Sequence, residues 1–317
     1  MVNSQLETEA KRILLAEELQ DTKDSLDIYV NCLFQLVQQH TAPANNRADA
    51  EAKMMLQMLF TKTLNLRGLL DGMSYDDGHS ARITNLIDPT IIASGARNIT
   101  ELIATFHLIY KVTNSPEQKD VLYKLWVIGG LKYRQRFAVS VSSDENNAKL
   151  VEEAEQIKTL KQEIIATSFY SNLDDANKEV ITKTIRNKDY RLNLTADTAS
   201  YLHWQQIIDV MGFKPELTGT LYNYFSLYAH PSNVSVFQFA NLFRAGGDEH
   251  IKMSMFNIKT VSAIISKFLS DYFQLFPDAL AIFNSLPELN QLVMDGILNF
   301  TTVNHETING SSRGFIR

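Results

Sequence analysis

Asp88 to Thr113 reads DPTIIASGARNITELIATFHLIYKVT, and its periodicity decides the fold. Asp88-Pro89 is a helix start. The aspartate can accept hydrogen bonds from the first free N–H groups, and proline at the first helical position lacks an N–H that would otherwise go unpaired. Behind it Ile92, Ile99, Leu102, Ile103, Phe106, Ile109 and Tyr110 recur on one face, while Arg97 and Glu101 fall opposite. The pattern predicts an amphipathic helix running to about Thr113.

Similar signals fill the rest of the chain. An amphipathic helix is expected from about Ser4 to His40, a break at TAPANNR, and a second helix from about Ala48 to Asp71. DGMSYDDGHS (Asp71 to Ser80) reads as a glycine-permitted loop. Ser115 and Gln118 have the spacing of a reciprocal capping box ahead of a helix that holds Trp126 and ends near LKYRQRF. A charged helix spans about Asp144 to Ser168 and is expected on the outside. Tyr201, Trp204, Ile208 and Met211 form a stripe closed by Gly212. VSVFQFANLF suits a short strand or a helix, and two helices broken near Pro277 and Pro287 fill Glu249 to Phe300. The prediction is an all-α, multi-helix bundle of about eight to ten helices. The chain is expected either as one domain overall or as an N-terminal long-helix bundle over 1–170, a polar connector or flap over 171–200 and a C-terminal helical part over 201–308 packed on the first, with a disordered tail over 309–317.

The bulk numbers narrow the function classes. The chain has 317 residues, a net charge of −6, 45% hydrophobic residues and few glycines and prolines, which describes a helix-rich globular protein. The acidic balance gives no global reason to hold phosphates. The single cysteine, Cys32, lies in an apolar helical run and reads as core filling. The N-terminus lacks a basic-then-apolar leader, and no run of about 18 uncharged apolar residues occurs, so a cytoplasmic protein with no membrane span is expected. HExxH, paired CxxC, P-loop, GxGxxG and GxSxG patterns are missing from the sequence. Asp76, Asp77 and His79 in YDDGHS lack a further spaced ligand, so no metal and no cofactor are expected.

LYNYFSLYAHPSN (Leu221 to Asn233) carries the most chemistry. On a helix from Leu217 to His230, Leu217, Leu221, Tyr224, Phe225 and Tyr228 share one side and Gly219, Asn223, Ser226 and His230 the other. Pro231 disfavours helical geometry at His230 and so places the histidine at the helix end, where it can cap carbonyls or serve as an acid, base or phosphate contact.

HWQQII with Trp204, then Gly212, then LYNYFSLYAHPS, together with Arg97-Asn98-Ile99-Thr100-Glu101, resembles a group of uncharacterised bacterial all-helical proteins over about Ala93 to Ser232. These are similar in character to the HEPN helical bundles, many of them ribonucleases of toxin–antitoxin and phage-defence systems. The resemblance implies a cytoplasmic, metal-independent ribonuclease acting as a homodimer on RNA. The family pairs an arginine with a histidine four to six residues later, but here those positions before His230 hold Phe225, Tyr224 and Asn223. Arg244 and His250 have the spacing but enclose Gly246 and Gly247. The arginine is therefore expected to be Arg97, juxtaposed with His230 across a dimer and oriented by Glu101. Tyr222, Asn223 and Ser226, together with Lys132, Arg134 and Arg136 of the basic-aromatic cluster LKYRQRF, are the expected substrate contacts. The alternative is a non-catalytic helical scaffold that binds a protein partner through a degenerate site.

Overall fold

The computed structural model describes residues 4–140, 143–244 and 247–308. The expected tail at 309–317 and Gly246 lie outside them.

Two helices stand where one was expected at the start: α1 (Ser4–Leu15) and α2 (Leu19–Gln39). Ala16 takes a left-handed φ of 46°, and the Asp21 carboxylate restarts the helix by accepting from the Glu18 N–H at 3.1 Å. Arg12 spans the break to Asp24 at 2.6 Å. α3 (Arg47–Leu69) starts under Asn46, whose side chain accepts from Asp49 N–H at 2.9 Å. The stretch read as a loop is largely an antiparallel hairpin, β1 (Met73–Asp76) and β2 (Arg82–Leu86), exposed at every residue. α4 (Pro89–Tyr110) begins as predicted, with Asp88 Oδ1 accepting from Thr90 N–H at 2.8 Å.

Next come α5 (Pro116–Arg134), a 3₁₀ turn, α6 (Asp144–Ile165), α7 (Ser168–Asn172) and α8 (Asp175–Arg186). A second antiparallel hairpin follows, β3 (Leu192–Leu194) with β4 (Ala199–Tyr201), and then α9 (Trp204–Asp209). The predicted stripe through Tyr201 thus begins in a strand and becomes helical only at Trp204. α10 (Pro215–Thr218), α11 (Leu221–Ala229), α12 (Asn233–Leu242), α13 (Glu249–Leu275), α14 (Leu280–Asn284) and α15 (Glu288–Thr301) complete the order. The protein is all-α apart from the two hairpins, and VSVFQFANLF resolves as helix. The helices outnumber the expectation because short turns such as α7, α10 and α14 are helices in their own right.

The described residues form two compact units, and the division differs from the expected cut near 170. One unit holds the chain up to Ala104 and again from Ile208, and the other is Thr105–Ile207. In the first, α2 packs on α3 and α13, and α15 packs on α1 and α13. Every residue of α13 from Val261 to Phe273 is buried, as expected of a helix enclosed on all sides. Several of its polar groups are paired internally, Ser266 Oγ with Tyr29 OH at 2.6 Å and Lys267 Nζ with Asp271 at 3.4 Å and Glu306 at 2.8 Å, whereas Ser262 Oγ is buried without a hydrogen-bond partner. Gly212, at φ 83°, turns the chain so that Phe213 bridges to Thr302. Cys32 is fully buried and burial pushes its thiol up to about 12, in keeping with a space-filling role.

In the second unit, Val121, Leu125 and Ile128 of α5 meet Ile157 and Ile164 of α6, Ile181 of α8 and Leu192 of β3. The expected flap at 171–200 is therefore part of this core. Most of its polar residues face outward, Thr184 excepted, while Leu173, Ile181, Leu192 and Leu194 turn in. Ser115 accepts from Gln118 N–H at 3.4 Å, but the capping box is only half formed. The Gln118 side chain instead donates to Thr195 O at 2.7 Å. Arg191 lies between the rings of Tyr201 and Trp204, 5.1 Å from each, and pairs with Asp189. Burial pushes the Asp189 carboxyl up, but hydrogen bonds from Arg191, the Tyr201 hydroxyl and two backbone N–H groups outweigh it and hold the group at about 2.

Two stability outcomes follow. Lys267→Ala leaves the Asp271 carboxylate without its buried cation and should cost about 3–5 kcal/mol in chemical denaturation. Asp189 titrates below its ordinary range, so its contribution is full above about pH 4 and lost as pH falls through about 2. Acid titration followed by circular dichroism should show Asp189→Asn less stable than wild type at neutral pH, with the difference closing over that window.

Candidate functional site

Arg97 and Glu101 sit one turn apart on α4, lifted clear of the face on which Ala93, Ala96, Ile99 and Ile103 are fully buried. That packing leaves the guanidinium at the surface but mostly covered, its side chain 20% exposed and that of Glu101 28%. Nε donates to Glu101 Oε1 at 2.9 Å. Nη2 donates to the Tyr222 hydroxyl at 2.7 Å, and that hydroxyl donates to the same Glu101 oxygen at 3.1 Å. The guanidinium carbon stands 5.0 Å from the centre of the Tyr222 ring. Nη1 is 2.6 Å from His230 Nε2.

The local sequence explains how His230 reaches this point. Leu221 and Phe225 bury one side of α11 and leave Tyr222 directed at Arg97. Pro231 forces His230 out of the helix into extended backbone (φ −117°, ψ 144°). Ser232 then caps α12, accepting from Ser235 N–H at 3.0 Å, and Ser235 Oγ donates to His230 O at 3.0 Å. The imidazole is thus held between two helix ends. An arginine can only donate, so Nε2 must accept and the ring hydrogen resides on Nδ1. Burial and then the neighbouring Glu101 carboxylate push the Tyr222 hydroxyl above its ordinary value, so it remains a donor at neutral pH.

Arg97, Glu101, Tyr222 and His230 therefore meet within one chain, and no second copy is needed to juxtapose them. The reason is that α11 ends at Ala229, ahead of Pro231, just where α4 presents Arg97. The other expected contacts lie elsewhere. Asn223 is exposed on α11, and Ser226 Oγ is buried and makes no hydrogen bond. The break at Gly219 and Thr220 separates α10 from α11, which leaves Leu217 half exposed rather than aligned with Leu221. Lys132, Arg134 and Arg136 belong to the Thr105–Ile207 unit. Lys132 Nζ donates to Ile185 O at 2.6 Å, Arg134 pairs with buried Glu153, and Arg136 lies over the Tyr133 ring at 5.2 Å. Their cationic heads are thus used inside their own unit. Arg244 follows α12 while His250 opens α13, so the two do not share a helix. In YDDGHS, Asp77 accepts from the N–H groups of His79, Ser80 and Ala81, a turn cap. Among the described residues no group of three His, Cys, Asp or Glu could hold a metal ion.

A groove of about 410 Å³ opens beside the cluster, with His230 in its wall and Ile91, Ser94, Val236 and Phe239 around it. The sequence reading did not single these residues out. The available signals were Ser94, one turn before Arg97, and the apolar i, i+3 pair Val236 and Phe239. No helix among the described residues is long and apolar enough to cross a membrane. No family model, curated protein or solved structure matches this chain.

The tautomer is directly measurable. Nitrogen NMR of the imidazole should show the neutral Nδ1–H form, and Arg97→Ala should shift the population toward Nε2–H, the form usually favoured when nothing donates to that nitrogen.

Proposed function

We propose that the Arg97, Glu101, Tyr222 and His230 cluster is the site of a metal-independent ribonuclease of HEPN-like type, acting on RNA. The observation that supports this best is the 2.6 Å approach of a surface guanidinium and an exposed imidazole at the edge of an open groove. A scissile phosphate offers oxygens that accept from Arg97 in place of His230 Nε2, which frees the nitrogen lone pair. The freed nitrogen takes the proton of the adjacent 2′-hydroxyl. The 2′-oxygen bonds to phosphorus, the bond to the 5′-oxygen breaks, and that oxygen takes a proton from the imidazolium. The products are a 2′,3′-cyclic phosphate and a 5′-hydroxyl. Arg97 offsets the charge growing on the phosphoryl oxygens, and Glu101 and Tyr222 hold its plane.

A second reading has its own observation. Each of the three guanidinium nitrogens already has a partner, so the cluster can serve as a brace between α4 and α11 in a non-catalytic scaffold that binds a protein partner. Cleavage of labelled RNA by wild type, Arg97→Lys and His230→Ala separates the two. The ribonuclease reading expects losses of about 100-fold or more in both variants with stability changed by less than about 1 kcal/mol. An inactive wild type, with both variants merely less stable, would leave the brace.

A further inference from the structure

The groove beside His230 has a chemical character distinct from the cluster it adjoins. Among the described residues no Lys, Arg, Asp or Glu lines it, so apart from His230 at its edge it carries no charged group for a phosphate. Its apolar wall is Ile91, Val236 and Phe239, which are 53%, 62% and 43% exposed, an open surface on which a flat ring can lie. Apart from the His230 imidazole, which the proposed chemistry assigns to the phosphate and the 2′-hydroxyl, its side-chain polar atoms are hydroxyls whose hydrogens are already committed, Ser235 Oγ to His230 O at 3.0 Å among them. Thr90 Oγ1 donates to Asp88 Oδ1 at 2.7 Å, Ser94 Oγ to Thr90 O at 3.0 Å, and Tyr228 OH to Gln238 Oε1 at 2.7 Å. What remains at these oxygens is acceptor capacity.

We propose that this groove is a nucleobase subsite that selects an unpaired base bearing an exocyclic amine, adenine or cytosine over uracil, next to the phosphate held by Arg97. The inference rests on the ribonuclease reading and adds the determinant of where the strand is cut. Stacking on Phe239 requires that the base be out of a duplex, and an amine directed at hydroxyl lone pairs gains hydrogen bonds. Uracil presents carbonyl oxygens where the amine would be, and these repel the same lone pairs. The volume of about 410 Å³ is ample for one base. Because His230 lines the groove, base and scissile phosphate are engaged as neighbours.

The test uses oligodeoxynucleotides with a single ribonucleotide, so that only one 2′-hydroxyl can react and the flanking base is known. Wild type should cleave at adenine or cytosine at least about tenfold faster than at uracil, and Phe239→Ala and Ser94→Ala should lose that preference while remaining folded. Equal cleavage at all bases, unchanged in both variants, would overturn the subsite and leave the ribonuclease reading standing. Fluorescence anisotropy with all-deoxy strands, which cannot be cleaved by this route, reads the subsite without the chemistry. Tighter binding of adenine or cytosine than thymine strands, lost in Phe239→Ala, with no cleavage of any ribonucleotide by wild type, would retain the base subsite and remove the nuclease. No base preference in either assay would remove the subsite.

Discussion

The enclosure of α13 from Val261 to Phe273 is the constraint on which the larger unit depends. A helix buried from Val261 to Phe273 hides its polar atoms from water, and the neighbours that answer Ser266 and Lys267 are thereby fixed in register. Tyr29 fixes α2 against Ser266, and Glu306 brings the chain after α15 onto Lys267. Asn257 reaches Pro89 O at 3.2 Å and so ties α13 to the first residue of α4. The position of Arg97, two turns further along α4, follows from that attachment. The site is thus set by the core, with α11 brought to it by the turn at Gly212 and the pairing of Phe213 with Thr302.

The helices were legible where one face is apolar and the start signal is local. Asp88-Pro89, Ser115 and the stripe through Ile99, Ile103 and Phe106 belong to that class, because both propensity and capping act over a few residues. The first hairpin was not legible, since Tyr75 and Ile83 pair across two strands that bury neither and show no alternation toward a core, and the second was not because three residues per strand, Leu192–Leu194 and Ala199–Tyr201, are too few for a period to show. The break at Ala16 escaped notice for a related reason. Its cause is the set of carboxylates that Arg12 gathers across the gap, which only the fold brings together. The division into units was invisible because the polar composition of 171–200 hides Leu173, Ile181 and Leu192 at the spacing of short elements.

At the site, His230 could be singled out from the proline that follows it, and Arg97 and Glu101 from the resemblance of their segment. Tyr222 was placed with substrate contacts, whereas its hydroxyl bridges the arginine and the glutamate. Lys132 and Arg134 illustrate the opposite limit. A basic cluster in sequence says nothing of the carbonyls and the Glu153 carboxylate that take up its charge after folding.

The division of the chain also bears on its synthesis. Thr105–Ile207 is continuous, so all of the contacts inside that unit become available once residue 207 has been made. The larger unit is discontinuous, and α2 cannot meet α13 or α15 until more than two hundred residues after it have emerged. Tyr29, whose hydroxyl meets Ser266 of α13 in the finished core, therefore lacks that partner on the nascent chain throughout that interval. The smaller unit can gather its core while the amino-terminal helices still wait, and the cell must keep those helices from other partners until the last third of the chain arrives.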